Sequence, residues 1–432
     1  LACTGLVSRI AGFFYRIFLS HAIGAEGLGL YQLILPLQGL MAALSYTGIQ
    51  SALSRLIASR LALQEKKEAY FSLVTGIFAA VFFSAVTGFL LFRHADFFAS
   101  TILKAPGTSD LLRLTAASIP LCAIHSCIDS YYYARKKASV PAAVQLSEQT
   151  VRIGATYILY LIFLSEGRPV TAMIAAGGSL AGEAAASLIS LLMVSFHFGN
   201  HPVKEKTSVK IFPLIKDLFT LSFPISLNRI LLTLLGSIEA VLIPQMLIRC
   251  GMTSSEALKI YGIFTGMALP LLLFPSTITT SAAVMLMPSV ARMDALGDQK
   301  QIRYVTDQTF FLCMFLGFLC GSGFFLFGPF LGTLLFHSKT AGTYIRYLSF
   351  ICPFLYTNTM LASILQGLGR PGRCLIHSAA GILIRIFSVV FMIPAIGIRG
   401  YFYGIFLGEL LLSLLHVKAL KFPYRQAGDN RL

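Results

Sequence analysis

The sequence predicts an all-α integral membrane protein with about twelve transmembrane helices, arranged as two parallel six-helix repeats around a central cavity. Three observations carry this. Of 432 residues 56% are hydrophobic, roughly 242 side chains, and 12% are charged, half the share usual in a soluble domain. Twelve spans of about 20 apolar residues need roughly 240 such positions. The two halves of the chain also resemble each other. Regular polar alternation is missing, and only helices or closed barrels satisfy backbone groups in lipid.

Apolar windows between charged or Gly/Pro-rich breaks put the first six spans near 1–20, 28–53, 71–92, 111–133, 141–164 and 170–198. Six more follow near 213–248, 261–288, 309–336, 343–366, 374–394 and 397–420. Connections after even-numbered spans, counted with the adjoining span ends and the tail, hold 20 Lys and Arg, against 9 after odd-numbered ones. By the positive-inside rule the first set and both chain ends face the cytoplasm. The net charge of +16 belongs to that membrane face and is no nucleic-acid signal. The eight cysteines show no metal-ligand spacing and read as small core residues. The chain opens at Leu1 already within an apolar helix, so the reading places its true start and any leader before it.

The connection 199–212 (GNHPVKEKTSVKIF) is the longest polar stretch between spans. It divides an N-lobe, 1–198, from a C-lobe, 213–421, with a polar tail at 422–432. A single constant offset along the sequence pairs Arg113 with Arg346, Pro120 with Pro353, and Arg152-Ile153 with Arg385-Ile386. Nearby offsets pair Gly178–Glu183 (GSLAGE) with Gly404–Glu409 (GIFLGE), and Arg9-Ile10 with Arg229-Ile230. We read this as an internal duplication. Six spans per half means both copies enter the bilayer from the same side, as in transporters that rock one half against the other.

Five cations fall deep inside spans, away from their ends: Arg9, Arg16, Arg152, Arg229 and Arg385. An Arg at the centre of a lone helix costs about 2.5 to 3.5 kcal/mol on insertion scales, so lipid-facing positions are disfavoured. Arg152 has a partner in Glu148 at i,i+4, and pairing competes with ligand contact there. Arg16 can snorkel outward. Arg9, Arg229 and Arg385 have no acidic residue three or four positions away, which favours a cavity-facing role. Several guanidinium groups suit a phosphate or diphosphate, each offering planar bidentate donors. The intramembrane acids are Asp129, Glu148, Glu183, Glu239 and Glu409, candidates for a proton or Na⁺ site. Glu183 and Glu409 follow GxxxG spacings, where a structural bond to a neighbouring helix is the favoured role. Asp129, one turn after His125, reads as a relay or, more simply, a helix-end carboxylate. Prolines 36, 120, 224, 244, 270, 275 and 353 break helix hydrogen bonds within spans. Ser289–Gln308 reads as an amphipathic cytoplasmic helix, a solvated loop being the alternative.

Ser8–Phe18 (SRIAGFFYRIF) followed by Ile23–Gln32 (IGAEGLGLYQ) resembles the first helix and loop of the stage V sporulation protein B branch of the MOP flippase superfamily. Gln145–Ile153 (QLSEQTVRI), Leu221–Ile230 (LSFPISLNRI) and Ile364–Ile386 resemble the same branch. The resemblance implies a MATE/MOP-like two-lobed fold, shared with MATE drug exporters and MurJ lipid II flippases, and a bacterial plasma membrane location. It also implies export of polyprenyl-diphosphate-linked glycan or peptidoglycan precursor, with membrane lipids and the cell-wall or polysaccharide synthesis machinery as partners. MurJ-type flippases carry functional arginines in a similar Ser-Arg-x-x-Gly-Phe stretch, which implies roles for Arg9 and Arg16. Members of the branch often have two more C-terminal helices than are found here.

The expectation is therefore a flippase, not an enzyme, holding an anionic head group on Arg9, Arg16 and Arg229, with Arg152 and Arg385 as further candidates. No cofactor is expected; Na⁺ and H⁺ are the candidate coupling ions. A MATE-like cation or drug antiporter would instead need carboxylates facing its cargo. A membrane enzyme on the same lipid would need clustered acidic metal ligands or a nucleophile and base at the membrane face, and a scaffold would need only its loops.

Overall fold

In the computed structural model, residues 2–200 and 211–421 are described; the core of the 199–212 linker and the 422–432 tail lie outside them. The described chain is helical, without strands, and falls into two compact units. Unit 1 comprises Leu1–Gln245 and Thr253–Gly262, unit 2 Met246–Met252 and Ile263–Leu432. Residues 213–245, assigned to the C-lobe from the position of the linker, thus pack with unit 1. The lobes of the connectivity and the units of the packing are divided at different places.

The helices run α1 (Ala2–Ala22), α2 (Gly24–Ser45), α3 (Thr47–Ala62), α4 (Lys66–Arg93), the single turn α5 (Ala95–Phe97), α6 (Ser109–Ala134), α7 (Ser139–Ser165) and α8 (Met173–Asn200). Then come α9 (Ile211–Arg249), α10 (Ser254–Gly262), α11 (Leu269–Leu273), α12 (Ser276–Ala295), α13 (Gln299–Phe336) and α14 (Lys339–Leu348). The chain ends with α15 (Cys352–Gly367), α16 (Pro371–Phe391), the short α17 (Ile393–Ile396) and α18 (Ile398–Lys421). Wider π turns occupy Phe98–Ile102 and Ile263–Ala268.

Among the described residues, ten helical stretches are long and apolar enough to cross a bilayer. The two expected spans outside that set are α1 and α7, of 21 and 27 residues. Both are long enough at about 1.5 Å per residue; their intramembrane Arg and Glu lower the hydropathy. Large apolar side chains such as Phe78, Phe82 and Phe89 on α4 and Phe311, Phe315 and Phe318 on α13 are exposed, the arrangement hydrocarbon selects and water would not. Unit 1 has a core around Leu53, Ile57, Leu73 and Ile128, and unit 2 one around Val290, Leu361 and Ile364.

Three segments differ from the sequence expectation. The expected span 28–53 is two helices, broken at Tyr46. Two residues on, Gly48 passes so close to Ser226 of α9 that a Cβ would collide with it. The expected span 261–288 is also divided: α10, the π turn and α11 are separated from α12 at Phe274 and Pro275, because proline cannot donate to the preceding turn. Ser289–Gln308 is neither a separate amphipathic helix nor a loop. It is the end of α12 and the start of α13, joined by a turn with Gly297 at φ +70 and Asp298 capping Gln301 N at 3.0 Å.

The duplication is visible in packing as well as in letters. A Cβ on Gly88 of α4 would meet the Ala116 carbonyl of α6 at 2.8 Å, and at the corresponding place in the second half a Cβ on Gly321 would meet the Ser349 carbonyl at 2.9 Å. On α8, Gly182 lies against Arg152 and the Glu148 carbonyl; on α18, Gly408 lies against Arg385 and the carbonyl of Gly381, the counterpart of Glu148. Each unit thus repeats the same close helix crossings, where only glycine lets the backbones approach.

At the expected cytoplasmic end of unit 1, Arg60 of α3 binds Glu65, Glu68 and Asp217 of α9 at 2.8 to 3.0 Å. The Glu65 hydrogen bond, against some loss of solvation, raises its pKa further.

Candidate functional site

Those close crossings bring intramembrane charges together. In unit 1, Arg152 of α7 binds Glu148 one turn earlier, and reaches Glu183 of α8 at 3.3 Å. The other Glu183 oxygen accepts from His125 Nε2 of α6 at 2.8 Å. Beneath, the Arg152 carbonyl accepts from Thr156 Oγ1, which meets the buried Tyr15 hydroxyl of α1 at 3.0 Å. One carboxylate therefore ties three helices, α6, α7 and α8, together. In unit 2 Arg385 of α16 lies 3.4 Å from Glu409 of α18, which accepts from Asn358 Nδ2 of α15 at 2.8 Å. Ser413 Oγ donates to Asn358 Oδ1 at 2.6 Å. The offset that carries Arg152 onto Arg385 also carries His125 onto Asn358, so the two triads occupy corresponding places.

These bonds hold Glu183 and Glu409 against neighbouring helices. For Arg385 the geometry corrects the reasoning: the carboxylate absent from its own helix is supplied by α18, so its charge is neutralised. Arg152 pairs as its spacing suggested and gains a second partner. Asp129 is not a helix-end carboxylate. It is largely buried within α6, with Oδ2 3.8 Å from His125 Nδ1, beyond hydrogen-bond distance. Glu239 is buried on α9 near Tyr261.

Arg16 and Arg229 behave differently. Arg16 of α1 is half-buried near Tyr31 of α2, and Arg229 is exposed on α9; among the described residues neither makes an ion pair. Arg9 is exposed on α1.

Sequence reasoning missed His125, Cys122, Asn358 and Tyr15 as members of these clusters. Cys122 reads from the sequence as a core residue without metal-ligand spacing. It stands one turn before His125, and its sulfur, a ring nitrogen of His125 and a Glu183 oxygen all lie within 4.8 Å of one another. The signal for Asn358 was available, in the same offset that pairs the two arginines.

Residues 1–294 match the family described as polysaccharide biosynthesis protein. Stage V sporulation protein B of Bacillus subtilis (strain 168) is 29% identical over 428 residues, covering 96% of this chain and 81% of that protein. The lipid II flippase MurJ of the same organism is 21% identical over 439 residues, covering 95% and 79%. Among solved structures, lipid II flippase MurJ in an inward closed conformation superposes with a TM-score of 0.73 at 13% identity, covering 97% of this chain and 87% of that one. An inward-facing multidrug resistance MATE family transporter of the MOP superfamily gives 0.67 at 16%, covering 97% and 99%. The chain therefore belongs to the polysaccharide biosynthesis protein family, and it is a multi-pass helical membrane protein with the fold of these MATE and MurJ structures.

Proposed function

We propose that the protein moves a polyprenyl-diphosphate-linked glycan or peptidoglycan precursor from the inner to the outer leaflet of a bacterial plasma membrane by alternating access, with both termini cytoplasmic. The observation that carries this is the division of the intramembrane arginines into two kinds. Arg152 and Arg385 are neutralised by carboxylates and act as positioning residues. Arg16 and Arg229, both in unit 1, make no ion pair among the described residues. A guanidinium kept in a membrane span without a counter-charge is costly, and an anionic head group would offset that cost. Its planar donors match a diphosphate, and Arg9 lies on the same helix as Arg16. The lipid tail stays in the bilayer. An inside-negative potential favours outward movement of anions by about 2.3 kcal/mol per charge per 100 mV, so voltage supplies drive without ATP. Similarity to a lipid II flippase supports the cargo class, and partners in cell-wall or polysaccharide synthesis follow from it.

The test is leaflet accessibility of lipid-linked precursor in cells carrying wild type, Arg16→Glu or Arg229→Glu. Export lost in both variants, at unchanged membrane abundance, is expected. Export retained, with altered sensitivity to cationic dyes, would replace this reading with the cation antiporter.

A further inference from the structure

The two triads provide an internal comparison. In unit 2 the Arg385–Glu409 pair is completed by neutral Asn358, and the positions matching Cys122, Asp129 and Glu148 are Leu355, Ala362 and Gly381. A clamp between these helices therefore needs one arginine, one glutamate and an amide. Unit 1 has the clamp, with the His125 imidazole in the amide's place, and three more groups around it: a thiol and two carboxylates. With His125 neutral and Cys122 protonated, Glu148, Glu183 and Asp129 against Arg152 leave a formal charge of −2, whereas the unit 2 copy is neutral. Around the cluster stand the phenols of Tyr46 beside Cys122, Tyr31 near Arg152, and Tyr15, with the Thr156 hydroxyl.

We propose that Cys122, His125 and Glu183 form a binding site for a divalent transition-metal cation of the zinc class. Sulfur, imidazole and one carboxylate oxygen are the ligand set such ions take, with three protein ligands leaving a fourth position for water. The donor atoms already lie within 4.8 Å of one another. Arg152 holds only one Glu183 oxygen, at 3.3 Å, and the oxygen on His125 is the one available for the ion. His125 Nδ1 and Asp129 Oδ1 are buried without hydrogen-bond partners. With the ion on Nε2, Nδ1–H points at Asp129, the outer carboxylate that orients ligating histidines. Binding releases one proton, from the thiol, while the imidazole proton passes from Nε2 to Nδ1 as the ion takes its place beside Glu183. The −2 cluster falls to −1 with neutral water as the fourth ligand. The inference does not depend on the identity of the transported lipid.

The test uses the full chain in detergent, with Co²⁺ as spectroscopic probe and Zn²⁺ retention measured after dialysis. Wild type should take up about one Co²⁺ per chain, with the thiolate-to-cobalt charge-transfer absorption of a low-coordinate site. Cys122→Ser should lose that absorption. His125→Asn copies unit 2, so it should keep the Glu183 hydrogen bond and the metal-free melting curve while losing retained zinc. Asp129→Ala should weaken binding about 10- to 100-fold, and Cys374→Ser in unit 2 should change nothing. Wild type retaining no more metal than His125→Asn would overturn the proposal and leave the cluster as a proton site. Co²⁺ spectra indifferent to Cys122→Ser would overturn it equally.

Discussion

Removing the carboxylate of Glu409 tests whether Arg385 is a structural cation. The two side chains are 21% and 10% exposed, between a surface pair, which contributes about 0 to 1 kcal/mol, and a buried one, whose breakage costs about 3 to 5 kcal/mol. Glu409→Ala also removes one acceptor from Asn358, about 1 kcal/mol, although Asn358 keeps the Glu409 backbone carbonyl at 3.0 Å. The expected loss is about 2 to 4 kcal/mol. Glu409→Gln keeps an acceptor for Asn358 and should lose about 1 to 2 kcal/mol. Arg385→Met strands the glutamate and should lose about 2 kcal/mol, while Arg385→Met with Glu409→Leu should return to within about 1 kcal/mol of wild type, since an apolar pair replaces the charges. Equilibrium unfolding in mixed micelles measures all four together with the Glu409→Leu single variant, and the double-mutant cycle built on that variant isolates a coupling of about 3 kcal/mol. Strictly additive single losses, with coupling under about 0.5 kcal/mol, would show that the pair holds nothing and that Arg385 remains available for other work.

Gly88→Ala and Gly321→Ala each push a Cβ onto a backbone carbonyl, at 2.8 and 2.9 Å; both should destabilise by about 1 to 3 kcal/mol, measured by the same unfolding. A clear cost at one site with none at the other would contradict the packing equivalence of the repeats. Arg16→Glu and Arg229→Glu should leave unfolding within about 1 kcal/mol of wild type while abolishing precursor export, because neither has an ion pair to lose among the described residues. Arg60→Ala releases Glu65, Glu68 and Asp217 together and should cost about 1 kcal/mol at low salt, shrinking as ionic strength rises; an effect independent of salt would rule out the ion-pair explanation.

The class of fold, most of its spans and the duplication were legible in the sequence, because each depends on local composition. Hydropathy reports transfer into lipid residue by residue, and the Arg-Ile and GxxxGE matches survive as letters. Breaks at Tyr46 and at Phe274 were not legible, since the first answers to the approach of α9 to Gly48 and the second to prolines that other spans carry without breaking. The partners of the arginines were legible only where they share a helix: Glu148 lies one turn from Arg152, but Glu183 reaches it from α8, and Glu409 reaches Arg385 from α18. Cys122 looked inert for the same reason, since a ligand set drawn from two helices leaves no spacing to read. What the sequence by itself determined was how many charges enter the membrane and on which helices. Only the tertiary structure decided which of them neutralise one another, because Coulomb energy depends on distances in space that helix crossings set, and those crossings are made where glycines let two backbones meet.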